Sequence, residues 1–194
     1  NSCHTDENKI FEGRAISECM EMTGMPAFEF IRKLMMEERG RVNVMGFAMD
    51  EGNLHKVLSS PLVMVGSDGS AVAPTGELSG GKPHPRYYGT FPRVLGKYCR
   101  EEKLFDVATT VQKMTSMPAE KLGLKNRGKL NKEYYADIVI FNENTVIDRA
   151  TFSNPHQFPA GITYVLVNGK IVIKEGEHTG KYPGKVLRKN NFTV

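Results

Sequence analysis

Residues 62–74 read LVMVGSDGSAVAP, and they bring an apolar strand directly up to a carboxylate. The run Leu62–Gly66 does not alternate with polar residues, which is typical of a parallel strand covered on both faces. Asp68 follows where this strand ends. Because ligand sites of parallel α/β proteins lie beyond the carboxyl ends of the strands, the position favours a functional carboxylate. The simpler alternative is an aspartate that closes a turn or caps a helix.

The segments upstream of this strand predict the end of an α/β domain. Residues 14–40 have apolar side chains at helical spacing, and residues 42–48 (VNVMGFA) are apolar on both faces. Asp50 is suited to cap a helix that Pro61 would end. Strand, short helix and strand together predict a right-handed βαβ unit.

The segment downstream, residues 67–89, predicts a long functional loop. Its 23 residues include five glycines and three prolines and have no periodic apolar face. Gly69 would let the backbone approach a ligand closely. Arg86 follows Pro85 in a stiff, extended stretch, where a guanidinium can grip a carboxylate through two hydrogen bonds or lock the loop on a backbone carbonyl. His84 is a further candidate for contact with substrate or metal.

The last third of the chain predicts a small β module. Helices are expected over 91–103 and 106–116, and the composition changes after Gly128. Residues 163–174 predict a hairpin whose Asn168-Gly169 turn supplies the two positive φ angles of type I′. We therefore predict two domains, residues 1–127 and residues 128–194.

Composition limits the class of protein. The chain has 194 residues, of which 40% are hydrophobic and 25% charged, and it has no apolar run long enough for a membrane helix. Its three distant cysteines and the absence of a signal pattern favour a reducing, cytoplasmic setting. The net charge of +4 arises from Lys181, Lys185, Arg188 and Lys189 of the last 15 residues, and no nucleic-acid recognition fold accompanies them. Neither a nucleic acid nor a membrane is an expected partner.

Familiar catalytic motifs are absent from the sequence. It contains no G-x-S-x-G, no H-E-x-x-H and no phosphate-binding glycine loop. The five histidines, at positions 4, 55, 84, 156 and 178, are not spaced as metal ligands.

Several stretches together resemble the C-terminal part of the N-acyl-D-amino-acid deacylases (D-aminoacylases) of the amidohydrolase superfamily, from about residue 12 to residue 188. The combination of the SDG strand end with the HPR-x-x-G-T-F-P-R segment is the part most specific to the D-aminoacylases. In chain order the stretches are PLVMVGSDG (61–69), GGKPHPRYYGTFPRVLGKY (80–98), KMTSMPAEKLGL (113–124), ADIVIFN (136–142), DRATFSNPHQFPAGI (148–162) and VLVNGKIV (165–172).

The resemblance implies an α/β fold: the last two strands and following helices of a metal-dependent (β/α)₈ TIM barrel, with a segment of a small β-sandwich. It also implies one or two zinc ions. Asp68 would be the general base and acid and a ligand or neighbour of the metal, and Arg86 would bind the substrate carboxylate. The expected activity is hydrolysis of the amide bond of small-molecule N-acyl-D-amino acids.

The family's other metal ligands lie in segments that would precede residue 1, and two strands cannot close a barrel. The chain also lacks an initiator methionine. We therefore expect a fragment that needs the N-terminal barrel segment of the same protein and is inactive alone.

Lys132-Glu133 replaces the Pro-Gly that the superfamily usually has before the ADIVIF strand. One alternative is another amidohydrolase reaction, such as dipeptidase or imidase action. The other is a non-catalytic scaffold or interaction domain, which could form a homo-oligomer that covers its exposed strand edges.

Overall fold

The computed structural model of the chain describes residues 2–187, which divide into two compact units. Unit 1 comprises residues 2–48, 68–88 and 149–157; unit 2 comprises residues 49–67, 89–148 and 158–187. The predicted division at residues 127 and 128 does not coincide with these units and stays a prediction. Arg188 and Lys189 of the basic tail lie outside the described residues.

Unit 1 begins with three short helices. They are a 3₁₀ helix (Asp6–Phe11), α1 (Ile16–Thr23) and α2 (Ala27–Glu37). Helix was expected throughout residues 14–40, but the run is interrupted between α1 and α2. Gly24 takes the left-handed conformation, φ +68°, that ends a helix, and Pro26 restarts the chain as the N-cap of α2. Phe30 of α2 is only 2% exposed and forms a T-shaped ring pair with Phe11, with 5.0 Å between ring centroids.

A buried carboxylate fastens the N-terminal segment of unit 1 to the end of α2. Glu38 is 1% exposed and accepts hydrogen bonds from Thr5 Oγ1 at 2.5 Å, from the His4 backbone N–H at 2.5 Å and from Asn8 Nδ2 at 2.9 Å. These donors, led by the Thr5 hydroxyl, lower the pKa of the Glu38 carboxyl to about 2.

Unit 2 opens with helix α3 (Glu51–Ser59). As expected, Asp50 caps it, accepting a hydrogen bond from Asn53 N–H at 2.9 Å, and the helix ends before Pro61. Helix α4 (Arg86–Arg93) has its residues 86–88 in unit 1 and its residues 89–93 in unit 2. The later helices of unit 2 are a π-helix (Val94–Glu101), α5 (Val107–Met114) and α6 (Ser116–Leu122). The core of unit 2 is built on Leu58, Val94 and Tyr98.

Two residues of the sequence shape the π-helix and its packing. Pro92 has no N–H to continue the α-helical hydrogen bonds, so the wider register follows directly after it. Gly96 allows another segment of unit 2 to approach, because a Cβ at this position would lie 2.4 Å from Ile147 Cδ1. Arg100 then donates to the Val146 carbonyl at 2.6 Å, which holds that segment against the π-helix.

The two predicted parallel strands are not formed, and the expectation of a βαβ unit within this chain is wrong. In the part of the chain that the structure describes, residues 62–66 join no strand ladder, and residues 42–48 make one isolated bridge, between Asn43 and Ser2. A parallel strand takes its hydrogen bonds from neighbouring strands, and the described residues supply none here. Leu62 consequently remains 86% exposed.

Lys113 holds the segment before Asp68 in place instead. Its side chain, 2% exposed, donates to the carbonyls of Ser60 at 2.5 Å and Val63 at 3.0 Å, and its own carbonyl accepts from Val65 N–H. Burial lowers the pKa of the Lys113 ammonium. One buried lysine therefore replaces part of the missing ladder.

The β module of unit 2 contains one antiparallel sheet of four strands in chain order. The strands are β1 (Ile138–Phe141), β2 (Ile162–Val167), β3 (Lys170–Lys174) and β4 (Glu177–His178). The predicted hairpin is confirmed: β2 and β3 are joined by Asn168 (φ +48°) and Gly169 (φ +77°). The described residues form this single sheet, so a sandwich of two sheets stays a prediction.

Residues 2–187 include no helix with the length and apolar character that crossing a bilayer requires.

Candidate active site

Asp68 and Arg86, both singled out in the sequence, contact each other in unit 1. Arg86 Nη2 lies 2.8 Å from Asp68 Oδ2, the distance of a charge-assisted hydrogen bond. The Asp68 side chain is 87% exposed, so the carboxylate remains accessible while it is paired. The structure thus brings together the two side chains to which we assigned chemistry.

The backbone at Asp68 is unusual for a residue with a side chain. Its φ of +48° lies in the left-handed region, which aspartate and asparagine tolerate better than most residues. The positive angle at this turn belongs to Asp68. The predicted role of Gly69 near a ligand stays a prediction. Residues in such conformations are common at functional sites.

Arg86 was expected in an extended loop, and in that respect the prediction is wrong. It is the first residue of α4. Pro85, with its fixed φ, precedes the first helical turn, and its carbonyl accepts from Tyr88 N–H at 3.1 Å. The backbone of Arg86 is therefore held by the first turn of a helix, which restricts it more than a loop would.

His84 lies beside Arg86 and supports its backbone. His84 Nδ1 accepts a hydrogen bond from Arg86 N–H at 3.0 Å, and its ring meets the Phe152 ring edge-on with centroids 5.0 Å apart. Burial, and then the nearby Arg86 charge, lower the pKa of the His84 imidazole. A direct role of His84 in binding substrate or metal stays a prediction.

Sequence reasoning missed a second histidine that contacts this loop. His156 Nδ1 lies 2.9 Å from the Tyr88 hydroxyl, and its Nε2 lies 3.1 Å from the Gly81 carbonyl. His156 and Tyr88 are 68 residues apart, and no spacing rule connects residues so distant in the chain. Their only sequence signal is that both lie in stretches shared with the D-aminoacylases.

The residues around Asp68 do not complete a zinc site. A catalytic zinc normally has three protein ligands, and Asp68 offers one carboxylate, which suits one position of such a site. Within residues 2–187, a single group of three suitable ligands converges, Glu51, His55 and Glu102 of unit 2, with ligand atoms within 4.8 Å of one another. Asp68 is not among them.

The cluster of Glu51, His55 and Glu102 is already occupied by a protein cation. Lys97 Nζ contacts Glu51 Oε1 and lies 3.5 Å from Glu102 Oε1, while His55 Nε2 lies 2.9 Å from Glu102 Oε2. The hydrogen bond from Lys97 lowers the pKa of the Glu51 carboxyl. A metal ion would have to displace this ammonium, so we interpret the cluster as a network of ion pairs. The spacing of Glu51 and His55, four residues apart on one helix, is the signal that could have found it.

A cleft of about 440 Å³ in unit 2 is also separate from the predicted site residues. Its walls are largely apolar, with Leu95, Phe105 and Phe141 among them, and none of the lining residues is a histidine. None of Asp68, Arg86 and His84 lines this cleft.

Comparison with known proteins identifies the family to which the chain belongs. A sequence model of the amidohydrolase family matches residues 11–173. The chain belongs to the amidohydrolase family. Among curated relatives of this amidohydrolase, a D-aminoacylase from Alcaligenes xylosoxydans xylosoxydans is 41% identical over 175 residues, which cover 90% of this chain and 34% of that protein. N-acyl-D-glutamate deacylase from the same organism is 37% identical over 178 residues, covering 92% of this chain and 34% of that protein.

Solved structures show the same relationship in three dimensions. A crystal structure of D-aminoacylase superimposes on this amidohydrolase with a TM-score of 0.73 at 38% identity, covering 87% of this chain and 33% of that chain. N-acyl-D-glutamate deacylase from Bordetella bronchiseptica, in complex with zinc and a phosphonate mimic of the tetrahedral intermediate, gives 0.71 at 35% identity, covering 85% and 33%. The chain spans about a third of the length of the relatives it matches.

Proposed function

We propose that this chain supplies the C-terminal third of a zinc-dependent deacylase that hydrolyses N-acyl-D-amino acids to a carboxylate and a free D-amino acid. The observation that carries the proposal is the contact between Asp68 and Arg86 at 2.8 Å. It joins a proton-transfer group and a carboxylate-binding group in a chain whose relatives are named for this reaction.

Arg86 would bind the substrate carboxylate. Its guanidinium already engages a carboxylate, that of Asp68, and the side chain is 38% exposed. An arriving substrate carboxylate would compete with Asp68 for these donors, and guanidinium geometry suits such an exchange because it offers several parallel N–H groups. Binding at Arg86 would fix the position of the amide and release Asp68 for proton transfer.

Asp68 would move the proton. In this class of enzyme zinc lowers the pKa of a water and polarises the carbonyl of the bond that is cleaved. Asp68 would accept a proton at a carboxylate oxygen from the attacking water and return it to the leaving nitrogen, which otherwise departs as a poor anionic leaving group. Its exposed carboxylate has room for both partners.

The remaining zinc ligands would come from polypeptide outside this chain. Exposed apolar side chains support this part of the proposal: Val44, Phe47, Met49 and Leu62 are 76–86% exposed, although they lie in or next to the stretches that predict barrel strands. We propose that the missing strands of a TIM barrel cover them, and that a second sheet completes a β-sandwich on the four-stranded sheet. The fragment alone would then be inactive.

The test uses the full-length protein that contains this chain. We expect hydrolysis of N-acetyl-D-amino acids with little turnover of the L enantiomers. Arg86→Gln should lower kcat/KM for the acid about 100-fold and should affect the corresponding carboxamide far less, because the carboxamide has no charge for the guanidinium to bind. Arg93→Gln, at the other end of α4, is the matched control and should leave the ratio of acid to carboxamide unchanged.

Three other outcomes would each favour a different interpretation. Equal losses on acid and carboxamide would show that Arg86 is structural. Faster turnover of L substrates, dipeptides or cyclic imides would assign another amidohydrolase reaction. A metal-free protein without turnover of any amide would support a non-catalytic scaffold.

A further inference from the structure

His156 uses both of its ring nitrogens within unit 1. The Gly81 carbonyl, 3.1 Å from Nε2, can only accept a hydrogen bond, so Nε2 carries the proton and donates. Nδ1 lies 2.9 Å from the Tyr88 hydroxyl, which can donate or accept this hydrogen bond. Both ring nitrogens are thereby engaged, and the orientation of the ring is fixed.

The two partners of His156 stand at opposite ends of one short segment. Gly81 begins and Tyr88 ends the stretch GKPHPRYY, which carries both His84 and Arg86. One imidazole therefore spans this loop from end to end. Fixing both ends restricts the positions that Arg86 can reach, which is what a substrate-binding side chain requires.

The segment that carries His156 is itself well braced. Gln157 Nε2 donates to the carbonyls of Arg149 and Asn154, both at 2.9 Å, and Pro155 is fully buried. Two further contacts join this segment to the loop. Lys82 Nζ donates to the Ser153 carbonyl at 3.0 Å, and Phe152 packs edge-on against His84.

We propose that His156 is a positioning residue for Arg86: it clamps the segment Gly81–Tyr88 and so sets the affinity for the substrate carboxylate. This inference rests on the proposed role of Arg86. His156 touches no reacting atom in this scheme, and its effect passes through the loop.

The test compares His156→Phe with His156→Gln in the full-length protein. Phenylalanine keeps a ring beside Tyr88 and removes both hydrogen bonds, whereas the glutamine amide retains one donor and one acceptor. We expect His156→Phe to raise KM for the N-acetyl-D-amino acid about tenfold with little change in kcat. The KM for the carboxamide should rise much less. In His156→Gln the KM for the acid should lie between those of wild type and His156→Phe. His178→Phe, the same substitution on β4 of unit 2, is the matched control and should change neither parameter.

Further measurements keep the outcome decisive. In a double-mutant cycle, adding Tyr88→Phe to His156→Phe should raise KM little further, because both substitutions remove the same hydrogen bond. Selective ¹⁵N labelling of histidine should show that Nε2 of His156 carries a proton, a readout that needs no turnover. Equal losses on acid and carboxamide, a fully additive cycle, or an unprotonated Nε2 would each overturn the clamp. If Arg86→Gln itself fails to separate acid from carboxamide, the proposed function of Arg86 fails, whereas a selective Arg86→Gln with a silent His156→Phe rejects the clamp alone.

Discussion

Asp68 is constrained by its backbone as much as by its chemistry. At φ +48° a β-branched or bulky side chain would be strained, while asparagine accepts the same angle. The conservative substitution for testing Asp68 is therefore asparagine, which keeps the size of the side chain and its conformation but cannot accept a proton.

We expect Asp68→Asn in the full-length protein to lower kcat about 10²- to 10⁴-fold, the range of general acid–base catalysis. The free energy of unfolding should change little, because the side chain is 87% exposed. Steady-state kinetics and thermal melting check the two parts. An unchanged kcat would remove the role in proton transfer, and a large fall in the melting temperature would make the kinetic loss uninformative about it.

Glu38 carries a pH dependence whose sign follows from its hydrogen bonds. The pKa of its carboxyl is about 2 in the folded chain, below the ordinary value of 4.5, so its stabilising effect is complete above about pH 4.5 and disappears as the pH falls towards 2. Glu38→Gln should therefore lower the urea midpoint at pH 7, and the gap from wild type should narrow from pH 4.5 downward. Glu29→Gln, at an exposed position of α2, is the control. A difference in urea midpoint that is constant with pH would show that these donors do not lower the pKa of Glu38.

At the scale of the elements, the hairpin between β2 and β3 depends on its turn. Gly169 has φ +77°, which alanine adopts only with strain, so Gly169→Ala should lower the free energy of unfolding by about 1–2 kcal/mol. Gly184→Ala is the matched control: apart from its chain neighbours, no heavy atom of the described residues lies within 4 Å of its Cβ position, and its φ is not in the left-handed region. Chemical denaturation of the two variants gives the comparison. Equal stability would mean that the turn is relaxed in solution.

Lys113 makes a second prediction at this scale. Lys113→Met keeps the aliphatic volume and removes the ammonium, which leaves the buried carbonyls of Ser60 and Val63 without this donor. The expected cost is about 1–3 kcal/mol in the free energy of unfolding. Hydrogen exchange of the Val65 N–H, which donates to the Lys113 carbonyl, should be faster in the variant than in the wild type. Slow exchange in the variant would show that the segment is held by other contacts.

The features that the sequence predicted correctly are local. The Asp50 cap and the Asn168-Gly169 turn each depend on a few consecutive residues, and both are present. Residues 62–66 needed hydrogen bonds from strands that the described chain does not contain, so an apolar run alone could not make a strand. The site divides in the same way: position and motif indicated Asp68 and Arg86, but the link from His156 to Gly81 spans 75 residues and has no local signature.

For the molecule as a whole, exposed apolar surface is the dominant feature. Phe28, Val44, Phe47, Met49 and Leu62 are each more than three-quarters exposed. Under the proposed function, the missing barrel strands would cover these exposed side chains. The relatives are about three times as long as this chain.

We expect the purified 194-residue chain, whose mass is 21.7 kDa, to elute on size exclusion as heterogeneous aggregates and to retain far less than one zinc per chain after dialysis. Exposed apolar residues favour association, and Asp68 alone is a weak ligand set. Elemental analysis of the eluted peak gives the metal content. A discrete, stable, metal-free oligomer would favour the scaffold alternative, and a zinc-loaded monomer would contradict the fragment interpretation.

The bridge from His156 to the Gly81–Tyr88 loop has a consequence for recombining such enzymes. A chimera whose crossover falls between residues 88 and 149 would inherit the loop from one parent and its clamp from the other. Where the second parent lacks a histidine opposite the tyrosine, the hybrid would fold and yet recognise its substrate poorly. Crossovers placed before residue 81 or after residue 157 keep both stretches from a single parent and avoid this defect.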